Sequence, residues 1–471
     1  MYDAPQEIID QVIGFLQDDR KHLLVARRVC HSWNISSRVH LFNHLDLRVP
    51  DQIPERRTSC KPHSKHLSDN CSNPTITGLE RFKRLLELLD TSHDVAFSAR
   101  HIVLGNTGLI SPEARDIYDV LIPALLSKVR RITSLQLSRM RWADVSSPML
   151  ECIANILESP HLHHLDIWNC ELPNAEAFTR ILSMPRSLQS LRVSQIHFKQ
   201  PFNHSISSNT LTNLNVTDKP SSLRILDIET TNLTPLLEAF IASSQSQHCI
   251  KIDNVERLSI KHIRDESSVR AFLKAVGGAV EHLELKASAS WDSTHNPNPH
   301  RPIELEHLPS LRSLHLLGVQ WVGRLSSANR IASIFSNIPQ ISQNQYNQGP
   351  TTIPIPIPPS RCQSNPHFCQ HPHHHHHHHL DHYPHPLEHL HISITALPMR
   401  QSIGHYDQWL ALDNALSHPA FSSLQSVTIH VYLQAVWEKG FDRTKFIAQF
   451  PKLSEQGKIT VDFIIPSYSY S

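Results

Sequence analysis

Residues 29–34 read VCHSWN, which places a cysteine directly beside a histidine. A thiol next to an imidazole is the pairing of a nucleophile with its base, or half of a metal site. The spacing argues against both. Adjacent side chains on a helix point about 100° apart, whereas residues three or four apart share a face. Cys30 and Trp33 are therefore expected on one helical face with Val29 nearby, as a packing signature.

A second feature with chemical potential is His371 together with His373–His379, with Cys362 and Cys369 close by. Imidazoles in series bind Zn, Ni or Cu. A selective site also needs fixed geometry and outer hydrogen bonds that orient the ligands. The surrounding Gln-, Asn-, Pro- and His-rich text cannot build a packed core. Adventitious affinity is expected, with no metal site and no cofactor assigned. The chain contains no Gly-x-Ser-x-Gly turn, no His-Glu-x-x-His and no glycine-rich phosphate loop, so no catalytic residues are assigned and no enzyme is expected.

Composition narrows the classes further. In 471 residues, Lys plus Arg (44) nearly balances Asp plus Glu (43), which removes any global attraction to nucleic acid or an anionic membrane. The 12 glycines are few for folds built on glycine-specific turns. The eight cysteines are scattered without a Cys-x-x-Cys pair, which reads as reduced thiols. No signal peptide and no apolar run long enough to span a bilayer is evident, so a cytoplasmic or nuclear location is expected.

The elements that would position any functional surface follow from periodicity. Residues 1–48 read as three short helices. Asp3 and then Asp18 or Asp19 are placed as caps. Ile8, Ile9, Val12, Ile13 and Leu16 fall at helical spacing, and a second helix carries Leu23, Leu24, Val25, Val29 and Cys30. Residues 49–77 have no sustained period and read as a linker. A pattern of amphipathic helix followed by apolar-x-x-apolar-x-apolar then recurs, in ITSLQL, LHHLDI, LQSLRV, LRILDI, VERLSI, VEHLEL, LRSLHL, LEHLHI and LQSVTI. Its central residues are Leu135, Leu165, Leu191, Leu226, Leu258, Leu283, Leu314, Leu390 and Val427. Up to Leu314 the spacing runs from 25 to 35 residues, a solenoid period. Ile102 and Leu104 fit a further strand at the start of the array.

The expectation is an α/β leucine-rich-repeat solenoid, a horseshoe, behind a short helical region. Repeats would occupy residues 78–330 and resume at 387–471, with a disordered insertion over 331–386. One unit, LHHLDIWNCEL, matches the full consensus, with Cys170 beneath the turn that leaves the strand; Thr231 takes that place in LRILDIETTNL.

Side chains between the buried strand positions would face a common surface. They include Asp166, Trp168, Arg192, Glu229 and Lys261, the candidate target-binding residues. Their mixed charges suit a protein partner better than a phosphate track. Trp168 reads equally well as an interface anchor and as packing against a neighbouring strand. The N-terminal helices are too few to bury all their apolar residues, so they either dock on the repeats or keep a face for a partner.

The run APQEIIDQVIGFLQDDRKHLLVARRVCHSWNISSRVHLF resembles an F-box of fungal type. That family opens on Leu-Pro-x-Glu with an Ile/Leu-rich helix, continues through a leucine-bearing helix and reaches a Val-Cys-x-x-Trp signature. Here Pro5, Glu7, Ile8 and Ile9, then Leu23 and Leu24, then Val29, Cys30 and Trp33 match, and Ala4 stands in the place of the leading leucine. F-boxes joined to leucine-rich repeats are substrate receptors of SCF-type ubiquitin ligases. The resemblance implies a Skp-type adaptor as partner, through it a cullin scaffold, and an unknown target protein held by the repeats. It implies Pro5, Ile9, Leu23, Leu24, Val29 and Trp33 as adaptor-facing or supporting that face, and Cys30 as a packed thiol. The alternative is a repeat scaffold whose degenerate F-box docks on its own solenoid and takes no part in ubiquitination.

Overall fold

A computed structural model describes residues 5–16, 19–49, 78–105, 112–200, 222–231, 233–244, 250–263, 266–287, 305–321, 331–332, 334–335, 385–396, 408–433 and 442–465. Asp3, Ala4, the 49–77 linker beyond Val49, the histidine tract and most of the 331–386 insertion lie outside these residues. The chain forms two compact units, Met1–Ser290 and Trp291–Ser471.

The first unit begins with three helices: α1 (Gln6–Gly14), α2 (Arg20–Ala26) and α3 (His31–Asn43). Asp19 caps α2, accepting from the backbone N–H of Lys21 and His22 at 3.0 and 3.1 Å. Ile9, Ile13, Leu23 and Ala26 form a small buried core, closed by Leu16, Trp33 and Leu41. Ser36 pins α3 to α1: its hydroxyl accepts from Gln6 Nε2 at 2.8 Å and donates to Asp10. These hydrogen bonds hold the Asp10 carboxyl below its usual pKa.

α2 is shorter than the pattern of apolar residues implies. It ends at Ala26, residues 27–29 form a turn, and Cys30 is the extended N-cap residue of α3, with φ −159° and ψ 177°. Cys30 is therefore exposed rather than packed, and it does not share a helical face with Trp33. The reason is local. A helix-face argument holds only inside one continuous helix, and the chain breaks between Ala26 and His31.

Among the described residues, ten strands follow in this unit, interspersed with helices. After β1 (His44–Asp46) come α4 (Gly78–Thr91), α5 (His93–Ser98), β2 (His101–Gly105), α6 (Pro112–Asp116) and α7 (Ile122–Lys128). β3 (Ser134–Ser138), α8 (Ser147–Leu157), β4 (His164–Trp168) and β5 (Glu171–Leu172) follow. Next are α9 (Ala175–Ser183), β6 (Ser190–Ser194), β7 (His197–Phe198), β8 (Ile225–Glu229), α10 (Leu233–Ser244), β9 (Arg257–Ile263), α11 (Glu266–Val276) and β10 (His282–Ala287). The strands run β1-β2-β3-β4-β6-β8-β9-β10, every pairing parallel, while β5 and β7 pair separately.

The register coincides with the repeat. Ile102, Leu135, Leu165, Leu191, Leu226, Leu258 and Leu283 are successive cross-strand partners, all essentially buried. The strand expected at Ile102 and Leu104 is β2, and β1 precedes it, with Leu45 opposite Ile102. The helices cover the apolar face, and Phe178, Phe240 and Phe272 of α9, α10 and α11 form a ring ladder with centroids 5.4 and 6.0 Å apart.

Four strands of this unit leave through the same device. Arg139, Asn169, Gln195 and His262 all have left-handed φ, between 51° and 62°, and each precedes a buried residue: Met140, Cys170, Ile196 and Ile263. The left-handed residue turns the next side chain back under the strand. Gly318 and Val319 repeat the arrangement in the second unit. Cys170 donates its thiol toward the carbonyls of Leu137 and Trp168, both at 3.4 Å. The repeat of Leu226 departs from this. Neither Thr230 nor Thr231 after β8 has left-handed φ, and Thr230 rather than Thr231 is buried, donating to Ile196 O at 3.4 Å while Thr231 is exposed.

The second unit contains β11 (Ser313–Trp321), β12 (His389–Ala396), β13 (Ser426–Leu433) and β14 (Ile459–Ile464), paired in parallel in that order. Leu314, Leu390 and Val427 are again register partners. Helices Gln408–Leu416, Arg443–Ile447 and Pro451–Glu455 pack through Trp409, Phe446 and Phe450, with centroids 5.5–6.0 Å apart. Each unit is thus α/β, with parallel strands alternating with helices as in a leucine-rich-repeat-like solenoid.

Candidate functional site: the polar strand face and the exposed apolar helices

The five strand residues singled out in the sequence stand on neighbouring strands of one sheet face. Asp166, Arg192 and Asp227 are successive register partners on β4, β6 and β8. Two residues further along, Trp168, Ser194, Glu229 and Lys261 form a parallel row. Strict alternation along each strand produces this: Leu165, Ile167, Leu191, Val193, Leu226 and Ile228 turn toward the helices, and the residues between them turn away.

The charges on this face interlock. Arg192 reaches Asp227 at 3.5 Å and Glu229 at 3.6 Å. Lys261 lies 3.3 Å from Asp227 and 3.9 Å from both Glu229 and Glu284. His262 Nε2 is 3.7 Å from Glu229. Asp166 sits at the end of the network. Burial raises its carboxyl pKa, Arg192 opposes the rise and Asp227 adds to it, and Asp166 Oδ1 is enclosed without a hydrogen-bond partner. The arrangement presents opposite charges held within 3.3–3.9 Å of one another across adjacent strands.

Trp168 is half-buried. The Arg139 guanidinium lies 5.0 Å from the centre of its ring, a contact that sequence inspection missed. Arg139 itself has left-handed backbone, with φ 52°.

At the N-terminus, the residues matched to the F-box divide into two sets. Ile9 and Leu23 are core, and Trp33 closes that core. Leu24 and Val29 are exposed, at 41% and 61%, and Pro5 is exposed at the start of α1. Ile8, Val12, Phe15 and Val25 join them on the outside, with Phe15 at 88%. α3 packs against α5, and β1 extends the parallel sheet, so the helices are also attached to the repeats.

A cleft of about 260 Å³ between α7 and α8 is lined by Leu126, Val129, Ile132, Cys152 and Ile156. Burial raises the Cys152 thiol pKa, which makes it a poor nucleophile. Among the described residues, no three His, Cys, Asp or Glu side chains are grouped to hold a metal ion, and no helix is long and apolar enough to cross a membrane. Neither a family model nor a curated protein sequence matches the chain.

Proposed function

We propose that this chain is a non-catalytic substrate receptor of an SCF-type ubiquitin ligase. In this reading the N-terminal helices bind a Skp-type adaptor, which links the chain to a cullin scaffold, and the polar strand face holds a target protein. The observation that carries the reading is the exposed apolar set Ile8, Val12, Phe15, Leu24, Val25 and Val29. It surrounds a core that is already closed by Ile9, Ile13 and Leu23. Side chains of this kind left in water on a small helical unit mark a protein interface. Ile8, Leu24 and Val29 among them are positions of the F-box resemblance, and the interlocked charges beyond them suit protein recognition.

Co-elution of the full-length chain with a purified Skp-type adaptor tests the proposal. The unmutated chain is expected to form a complex, Leu24→Asp to abolish it, and Trp33→Ala to weaken it. Failure of the unmutated chain to bind would overturn the receptor reading.

A second reading has its own support. The contact of α3 with α5 and the pairing of β1 with β2 favour a repeat scaffold whose helical region serves as an end cap. Under that reading Leu24→Asp changes no association, and loss of α1–α2 lowers the stability of the repeats.

A further inference from the structure

The polar strand face of the first unit carries one charge that the chain itself leaves unanswered. Among the described residues, Asp166 forms no ion pair, and its enclosed Oδ1 has no hydrogen-bond donor. The nearby cations are engaged elsewhere. Arg192 reaches Asp227 and Glu229, and Lys261 reaches Asp227, Glu229 and Glu284. Lys286 stands on β10, four strand spacings from β4, or roughly 19 Å away. Burial is the largest influence on the Asp166 carboxyl and raises its pKa. Folding has therefore taken water from this carboxylate without supplying a donor, which opposes stability.

Its neighbours indicate what would supply one. Gln136 on β3 is the register partner of Asp166, and Ser138 is the register partner of Trp168. Alternation puts all four side chains on the polar face. Ser138 is fully buried, and its hydroxyl also lacks a partner among the described residues. A carboxylate, a carboxamide and a hydroxyl, each able to accept a hydrogen bond, thus gather beside one indole. That indole accepts a planar cation, since the Arg139 guanidinium lies 5.0 Å from its centre. The missing group is positively charged, rich in N–H donors and flat. A guanidinium meets all three requirements: it forks two N–H groups onto a carboxylate and stacks beside aromatic rings. A phosphate would meet the repulsion of Asp166, Asp227 and Glu229.

We propose that Asp166 receives an arginine side chain of the target protein, with Gln136 beside it and Trp168 as the apolar wall. This rests on the reading that the strand face holds a target, and it names the target's chemistry: a segment bearing an exposed arginine. The charges that interlock on β6, β8 and β9 then frame the arginine site, and Asp166 sets its specificity.

Selection of phage-displayed random dodecapeptides on the immobilised full-length chain tests this. Recovered peptides are synthesised, and those that protect residues 134–138 and 164–168 from hydrogen exchange are taken as strand-face binders. They are expected to carry an arginine. Replacing it by citrulline, which keeps the shape and removes the charge, should weaken binding at least about tenfold. Against Asp166→Asn the arginine peptide should bind as weakly as the citrulline peptide does to the unmutated chain, and citrulline should cost nothing further. Strand-face binders without arginine, or an equal citrulline loss in both proteins, would overturn the proposal and leave the strand face as a protein-binding surface. Recovery of no strand-face binder would overturn both. If Asp166→Asn does not fold, the unmutated chain decides, and a citrulline peptide that binds as well as its arginine parent overturns the proposal. Adaptor co-elution depends on the N-terminal helices and reports on the receptor reading separately.

Discussion

Arg139 holds its guanidinium 5.0 Å from the centre of the Trp168 ring while its own backbone sits at φ 52°. The two facts have opposite energetic signs. The cation over the indole contributes about 0.5–1 kcal/mol, whereas the left-handed backbone costs a non-glycine residue roughly 1–2 kcal/mol. Arg139→Ala should therefore lower unfolding stability by about 0.5–1 kcal/mol, because it loses the contact and keeps the strain. Arg139→Gly loses both and should be close to neutral. Urea denaturation of the two variants separates the terms.

Cys170 should be inert in the folded chain. Burial pushes its thiol pKa up to about 12, and its sulfur is committed to the carbonyls of Leu137 and Trp168. Cys30, exposed at the N-cap of α3, has no such protection. Alkylation followed by peptide mass spectrometry should find Cys30 modified in the native state and Cys170 only after denaturation.

Much of the fold was legible in the sequence because one period ran through it. A strand buried on one face and covered by a helix writes its leucines at fixed places, so Leu135 through Leu283 and Leu314 through Val427 identified the register partners directly. The turns were less legible. Gly318, Asn169 and His262 are residue types that accept left-handed backbone, but Arg139 and Gln195 are not distinctive, and the shift from Thr231 to Thr230 accompanies a Thr230 without that conformation. The break at Ala26 was hidden because neither glycine nor proline marks it. The five strand residues share a face as alternation requires, whereas the Arg139 guanidinium over Trp168 is a contact between neighbouring strand ends that no sequence spacing announces.

Asp413 is a buried carboxylate whose oxygens accept from the backbone N–H of Leu453 at 2.9 Å and of Lys452 at 3.2 Å. It ties helix Gln408–Leu416 to the first turn of helix Pro451–Glu455. Asp413→Ala leaves two donors unanswered and should cost about 1–3 kcal/mol in the second unit. Asp413→Asn retains an acceptor and should cost less. Thermal unfolding of the two variants checks the order.

His385 should set an acid limb on stability. Burial lowers its pKa to about 4, and its Nδ1 accepts from Leu387 N at 3.2 Å. The folded state holds it neutral while the unfolded chain protonates it near 6.5, so stability is complete above about pH 6.5 and falls as the pH drops toward 4. The full effect is roughly 3 kcal/mol. His385→Asn should flatten that part of the pH–stability curve, measured by chemical denaturation at steps between those limits.

Leu23 and Leu24 are adjacent and do different work. Leu23, 1% exposed, belongs to the helical core; Leu24, 41% exposed, faces outward. Leu23→Ala should cost about 2–5 kcal/mol of local stability and unfold α1–α3. Leu24→Ala should leave the helices intact by hydrogen exchange. That contrast makes Leu24 the clean probe of association.

The most direct test of the receptor reading is hydrogen-exchange mapping of the full-length chain with and without a purified Skp-type adaptor. The account predicts new protection over residues 8–29, where Ile8, Val12, Phe15, Leu24, Val25 and Val29 are exposed, with β4, β6 and β8 unchanged and the effect lost in Leu24→Asp. No protection at saturating adaptor, or protection confined to the strand face, would contradict it.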